Sequence, residues 1–185
     1  MRKHVYKTIG EYSFRPFTVG EINSLDADDV TDIEYYAHEK DLIKIYALME
    51  TLNKKSCDMK TKCECGKTIK FSVKKEQFSV TEFVPGIFDI SPELKISVQP
   101  RFEHDDNLVD LIEFVVLNGE QISWDDCSDK EKECVLDSID YEKFIQIEQY
   151  LKSFRLKTPI FLTCECGKEK VIDINNADKV MRCIL

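Results

Sequence analysis

The sequence predicts an α+β fold of two related halves, each with a strand, helices and a β-hairpin, joined by a split four-cysteine site that resembles a zinc ribbon. Three observations support this prediction. Apolar residues alternate in short runs that are typical of strands, they recur at helical spacing after capping-box patterns, and the segment 62–67 recurs at 163–168. We expect the halves to span residues 1–86 and 87–185 and to form one compact unit.

The first half begins with a predicted hairpin, in which apolar residues from Val5 lead to a turn at Gly10-Glu11 and others follow it at near-alternate positions. Capping-box patterns at Thr18 and Thr31 predict a short helix and then one or two helices between residues 32 and 54. A strand is expected to leave the first tight Cys-x-Cys-Gly turn. Its alternating apolar residues are Ile69, Phe71 and Val73.

The second half is predicted to open with a strand at residues 94–98. Leu108, Leu111, Ile112 and Val115 lie at helical spacing, which predicts a helix. Asp105 and Asp106 can cap it, and Asn118-Gly119 stops it. The other predicted elements are a short helix after Ser128, a longer helix with Phe144, Ile147, Leu151 and Phe154 on one stripe, a strand at 159–163 and a short helix in the tail.

Four cysteines predict a metal site. Two copies of Cys-Glu-Cys-Gly can supply four thiolates, which form a closed tetrahedral zinc site, and the glycine lets the backbone fold back so that amides point at sulfur. Nearby lysines can offset the net charge of about −2 that Zn²⁺ and four thiolates leave. We predict one structural zinc per chain. The predicted ligands are Cys63, Cys65, Cys164 and Cys166, and the flanking lysines are Lys62, Lys67 and Lys168.

Other interpretations of the cysteines stay open at this point. The four could be plain reduced thiols on exposed hairpins, or redox pairs, although each pair leads into a strand rather than a helix N-terminus that would lower a thiol pKa. Cys57 or Cys183 could replace one ligand, although core or surface thiols are simpler interpretations. Cys127 and Cys134 have the spacing of apolar helix residues. Trp124 is either a hydrophobic plug or an interface anchor.

Composition excludes several classes of function. The 185 residues include 26 Lys and Arg against 35 Asp and Glu, a net charge of −9, which disfavours binding to a phosphate backbone. No catalytic motif, phosphate loop or secretory signal is recognisable, and the most apolar stretch, 108–117, is too short to span a bilayer. We therefore expect a cytoplasmic protein with reduced cysteines, in a host's cytoplasm if the protein is viral.

The ends of the chain resemble a phage family. Residues 12–21, Tyr-Ser-Phe-Arg-Pro-Phe-Thr-Val-Gly-Glu, resemble the opening of the baseplate hub proteins of T4-like contractile-tailed phages. Residues 139–157 look like that family's penultimate helix, and the second Cys-Glu-Cys-Gly falls where such proteins carry a cysteine-bearing hairpin. A Cys-x-Cys in both halves departs from the family pattern.

The resemblance implies a structural or assembly component of the baseplate hub, a late viral protein that binds other hub or tail proteins and catalyses no reaction. It would be found in the host cytoplasm during assembly, and then either leaves or stays in the virion. The resemblance implies no nucleic-acid, membrane or small-molecule partner.

Two other classes of function remain as alternatives. The first is a zinc-ribbon adaptor or regulator that binds transcription or replication proteins, although the chain lacks the aromatic and basic stripe of a nucleic-acid binder. The second is an oxidoreductase that uses Cys-x-Cys, which the metal interpretation disfavours.

Overall fold

A computed structural model of the protein describes residues 7–82, 84–100 and 107–185. Strands and short helices are mixed along the described chain, which confirms the α+β class. In chain order they are β1 (Lys7–Ile9), β2 (Tyr12–Phe14), α1 (Lys40–Thr51), β3 (Ser56–Lys62), β4 (Thr68–Lys74), β5 (Gly86–Asp89), β6 (Leu94–Val98), β7 (Ile112–Leu117), β8 (Glu120–Ser123), α2 (Asp129–Asp137), α3 (Tyr141–Ser153), β9 (Thr158–Thr163), β10 (Glu169–Ile174) and α4 (Ala177–Ile184).

The chain divides into two compact units. The first unit holds the chain up to Thr81 together with Arg155–Leu185, and the second is Glu82–Phe154. These boundaries differ from the predicted halves, 1–86 and 87–185, because the chain returns to the first unit to form its second cysteine hairpin. The relation between the two predicted halves stays a prediction.

The N-terminal hairpin is present, with β1 and β2 paired antiparallel around Gly10-Glu11. The predicted contribution of Val5 and Tyr6 lies outside the described residues. Only a 3₁₀ turn, Glu21–Asn23, follows the first capping-box pattern. The carboxylate of Glu21 does accept a 2.8 Å hydrogen bond from the amide of Thr18, as a capping box requires. The same carboxylate also binds Arg15.

Arg15 and Glu21 anchor this segment. The guanidinium of Arg15 is buried and donates two hydrogen bonds of 2.8 Å to the two carboxylate oxygens of Glu21. It also donates to the carbonyl oxygens of Pro16 and Asp29. Hydrogen bonds in which both groups are charged are among the strong ones in proteins. The Arg-Pro motif therefore fixes the path of the chain between the N-terminal hairpin and α1.

The core of the first unit is built around α1. The helix begins later than the second capping-box pattern indicates, since residues 31–35 form no helix. The turn before α1 is closed instead by the Glu39 carboxylate, which accepts from the amide of Tyr36 at 2.8 Å. α1 contacts β2 and α4. Its buried residues are Leu42, Ile43, Ile45, Tyr46, Ala47, Leu48 and Met49.

The helix predicted between residues 108 and 118 is wrong. The structure has a 3₁₀ turn at Leu108–Leu111 followed by β7 and β8, which pair antiparallel. Asn118-Gly119 is the two-residue turn between these strands, with φ of 52° and 87°, the backbone that an Asn-Gly hairpin requires. Asp105 and Asp106 lie outside the described residues.

The second unit contains one antiparallel sheet in the order β5-β6-β7-β8, together with α2 and α3. The predicted capping box at Ser128 is confirmed at the start of α2, and α3 confirms the longer predicted helix. Trp124 is 5% exposed and belongs to the core of this unit, so it is a plug. None of the helices in the part of the chain that the structure describes is long and apolar enough to cross a membrane.

We expect Gly86→Ala to destabilise the second unit by about 1–3 kcal/mol, the usual cost of overpacking. A Cβ at this position would lie 2.7 Å from Cζ of Tyr150 and 2.9 Å from Cε2 of Phe88. The Tyr150 ring resists displacement because its hydroxyl donates to the carbonyls of Val84 and Val98. Chemical denaturation followed by fluorescence of Trp124, the one tryptophan of the chain, measures the effect. Gly20→Ala is the control, since nothing lies within 4 Å of its Cβ; equal unfolding of both variants would contradict the packing argument.

The Arg15–Glu21 pair predicts a dependence of stability on pH. The hydrogen bond from Arg15, followed by that from the Thr18 amide, lowers the pKa of Glu21 to about 2. A carboxylate with a depressed pKa in the folded state stabilises the fold above its unfolded pKa, and this contribution is lost as pH falls through the folded value. We expect Glu21→Gln to cost about 1–3 kcal/mol at neutral pH and to flatten the acid limb of stability between pH of about 4.5 and about 2. The exposed Glu11→Gln is the control, and an unchanged acid limb in Glu21→Gln would refute the prediction.

Candidate metal centre

The two cysteine turns have the same backbone. The first joins β3 to β4 and the second joins β9 to β10, and both hairpins are antiparallel. In the first, Cys63 N donates to the carbonyl of Lys67 at 2.8 Å; in the second, Cys164 N donates to that of Lys168 at 2.9 Å. The glycine after each second cysteine has a φ of 87° or 84°, a conformation open to glycine and strained for other residues. The repeated motif thus folds into a repeated turn.

The structure brings the four predicted cysteines together. Their sulfur atoms all lie within 4.8 Å of one another. The Sγ of Cys63 lies 3.8 Å from that of Cys166, and the Sγ of Cys65 lies 3.7 Å from that of Cys164. A disulfide would require about 2.05 Å, so all four are free thiols. Each of these two pairs joins one turn to the other, and each hairpin carries two of the four sulfur atoms.

The spacing of two sulfur pairs matches that of a metal tetrahedron. Four thiolates about 2.3 Å from a central ion lie about 3.8 Å from one another, which is the separation of both close pairs. Cys63 and Cys164 are buried, whereas Cys65 and Cys166 are exposed. The cluster could hold one metal ion near the surface of the first unit, with four sulfur ligands.

Charged side chains cross between the turns in a reciprocal pattern. Lys67 Nζ lies 3.2 Å from a carboxylate oxygen of Glu165, and Lys168 Nζ lies 3.0 Å from one of Glu64. The lysine of each turn thus pairs with the glutamate of the other turn, as in a local two-fold arrangement. All four side chains are exposed, so water and salt screen the pairs, and they act chiefly to fix the register of the turns.

The predicted lysines take different parts in this cluster. Lys67 and Lys168 cross between the turns, and the pKa of Lys168 is raised by Glu64 first and then also by neighbouring cysteines. Lys62 contributes its carbonyl oxygen, which accepts a 2.7 Å hydrogen bond from Lys170 Nζ. Sequence reasoning missed Lys170 and both glutamates. The repeated sequence could have indicated the two glutamates. When two Cys-Glu-Cys-Gly-Lys turns face each other, the Glu of each turn lies opposite the Lys of the other.

Backbone amides and neighbouring thiols shift the pKa values of the two cysteines in the second turn. The amide of Lys168, followed by hydrogen bonds with Cys65 and Cys164, lowers the pKa of Cys166 to about 7. The amide of Cys166 lowers the pKa of Cys164, but desolvation and hydrogen bonds with the other thiols outweigh it, and the net pKa of Cys164 is raised. These amides point at sulfur as the glycine in each turn predicts.

The remaining cysteines lie outside the group of four. Cys57 is buried at the start of the first hairpin, where desolvation and then its neighbour Cys183 raise its pKa to about 11. Neither of these two belongs to the group of four sulfur atoms that lie within 4.8 Å of one another. Cys127 packs against the core of the second unit, which agrees with its interpretation as apolar filler, whereas Cys134 is exposed and does not fill the core.

Comparison with known proteins identifies the family. A family model described as T4 bacteriophage base plate protein matches residues 1–182 of the 185-residue chain. The chain belongs to this family. The match confirms the resemblance to a T4-like base plate family. Searches of curated proteins and of solved structures found no significant match. Membership of a base plate family implies a structural role in the virion tail and association with other base plate or tail proteins.

Proposed function

We propose that the protein is a structural or assembly component of the baseplate hub of a contractile-tailed phage. The family match over residues 1–182 carries the proposal as far as the base plate. The hub is proposed from the likeness of residues 12–21 and 139–157 to hub proteins. In this role the protein works by contacts with other hub or tail proteins and catalyses no reaction.

The proposed role includes one structural zinc ion held by Cys63, Cys65, Cys164 and Cys166. Zinc favours four thiolates in a tetrahedron, and such a closed set leaves no position for a reactive water. Between Cys65 and Cys164 lie 98 residues. The ion would therefore cross-link two hairpins that are far apart in the sequence. It would thus stabilise the fold and would not take part in chemistry.

The proposal extends to the history and location of the chain. The equivalent cysteine turns are what a duplicated half would leave behind, although the helices before them sit in different units. We place the protein in the host cytoplasm during late assembly, and then either in the tail baseplate or released from it. The net charge of −9 supports a protein partner over nucleic acid.

Loss of one ligand tests the zinc. We expect the wild-type protein to contain one zinc per chain and Cys164→Ser to lose nearly all of it. Because a cross-link over a segment of this length is worth several kcal/mol, the melting temperature should fall on the order of 10 °C. Mass spectrometry for metals and calorimetry measure both quantities. Cys134→Ser, an exposed cysteine outside the group, is the control. Zinc-free wild-type protein, or a Cys164→Ser variant with unchanged metal content and melting, would refute the structural zinc.

An amber mutation of the gene in its phage tests the role. We expect infected cells to lack completed baseplates or their hubs under the electron microscope, because a missing hub component blocks assembly of the tail around it. Expression of the wild-type chain from a plasmid should restore them. Normal tails with a defect confined to transcription or replication would favour the zinc-ribbon adaptor instead.

A further inference from the structure

The outer face of the second cysteine hairpin exposes an apolar pair. Phe161 in β9 and Val171 in β10 stand directly opposite each other. Their exposed fractions are 79% and 60%. A directly opposed aromatic and β-branched pair of this kind is large enough to anchor an interface. The alternation of the strands explains the direction, because Ile160 packs against the core of the first unit from the opposite face.

The first hairpin shows that the fold itself does not need apolar residues there. The two hairpins share one register, and the positions that correspond to Phe161 and Val171 are Lys60 and Lys70, which also pair directly across their strands. A lysine pair is therefore compatible with the same turn and the same four-cysteine cluster. The folding of a cysteine hairpin does not account for Phe161 and Val171.

Acidic residues flank the apolar pair on the same face. Glu169 pairs with Thr163 at one end, and Asp173 pairs with Pro159 at the other; all four are exposed. An aromatic anchor at the centre with a polar rim is the usual anatomy of a protein interface. The acidic rim repels nucleic acid and anionic lipid, and it complements a basic rim on a partner.

We propose that this outer face of β9 and β10 docks another base plate subunit, one that offers an apolar pocket edged by lysine or arginine. The proposal deepens the proposed function and rests on membership of the base plate family, not on the assignment to the hub. Phe161 enters the pocket, Val171 widens the contact, and Glu169 and Asp173 pair with the basic edge.

The hairpin is already fixed in the conformation that binds. Its turn is joined to the first hairpin by the close approach of the four cysteines and by the 2.7 Å hydrogen bond from Lys170 to the carbonyl of Lys62. Its base is fixed by Thr158, which is buried and accepts from the amide of Ser79 at 3.0 Å. Docking then loses little conformational entropy, which favours affinity.

The test begins with Phe161→Lys/Val171→Lys, which gives the second hairpin the lysine pair of the first. The amber-mutant phage is grown with each variant supplied from a plasmid. We expect this double variant to lower the plating efficiency by at least about tenfold, since an interface anchor contributes roughly 30-fold or more to affinity. Lys60→Ala/Lys70→Ala, at the equivalent positions, should complement like the wild type. Melting temperature and zinc content of the purified variants should match those of the wild-type chain. Full complementation by the lysine variant would overturn the proposal, as would an equal loss from the alanine control.

Photo-cross-linking identifies the occupant. A benzophenone amino acid at position 161 of the full chain is irradiated during infection, with the same group at position 60 as the control. A cross-link from position 161 to another base plate protein, next to its lysine or arginine residues, supports the proposal. A cross-link to a second copy of this chain, to a protein outside the base plate, or none at all overturns it. The amber mutation without plasmid still reports on the proposed function, so the docking face can fail while the base plate role stands.

Discussion

The fold depends on closure of the long excursion that the chain makes between its two cysteine hairpins. The chain leaves the first unit after Thr81 and re-enters it at Arg155. Closing a loop of this length costs on the order of 4 kcal/mol in chain entropy. Backbone pairs at the junction offset that cost: Thr81 N donates to the carbonyl of Arg155, and Lys157 N donates to that of Ser79, each at 2.9 Å. This closure brings β9 and β10 back to the first unit. The second unit accordingly has the connectivity of an insertion into the first.

The cysteine cluster was predictable because its information is local and repeated. Each Cys-Glu-Cys-Gly-Lys segment specifies its own turn. Its glycine has a positive φ, and the amide of its first cysteine donates to the carbonyl of its lysine. Two copies of one turn then imply a shared site, since four thiols fit one tetrahedral ion. The reciprocal pairing of Glu64 with Lys168 and of Lys67 with Glu165 follows from the same repeat, although only the structure shows that the turns face each other.

The errors arose where local pattern and long-range pairing disagree. Leu108, Leu111, Ile112 and Val115 match helical spacing, yet Ile112–Leu117 is a strand between two others. Pairing with β6 and β8 supplies its hydrogen bonds, the β-branched Val115 and Val116 suit a strand, and Asn118-Gly119 is a hairpin turn, not a helix stop. The bounds of the two compact units differ from the predicted halves for a related reason. A division into consecutive halves takes no account of a chain that comes back, and the return is decided by contacts between residues 79–81 and 155–158.

The two hairpins then separate what stability needs from what a partner would recognise. Residues that face the interior and the cluster are alike in both: buried Cys63 matches Cys164, Gly66 matches Gly167, and the strand pairing has the same register. Residues that face outward differ in kind, with Lys60 and Lys70 on one hairpin and Phe161 and Val171 on the other. Outward positions of a strand can change without cost to the opposite face, because side chains alternate with a period of two. A repeated framework can thus present two chemically different surfaces, which suits a base plate protein that associates with several neighbours.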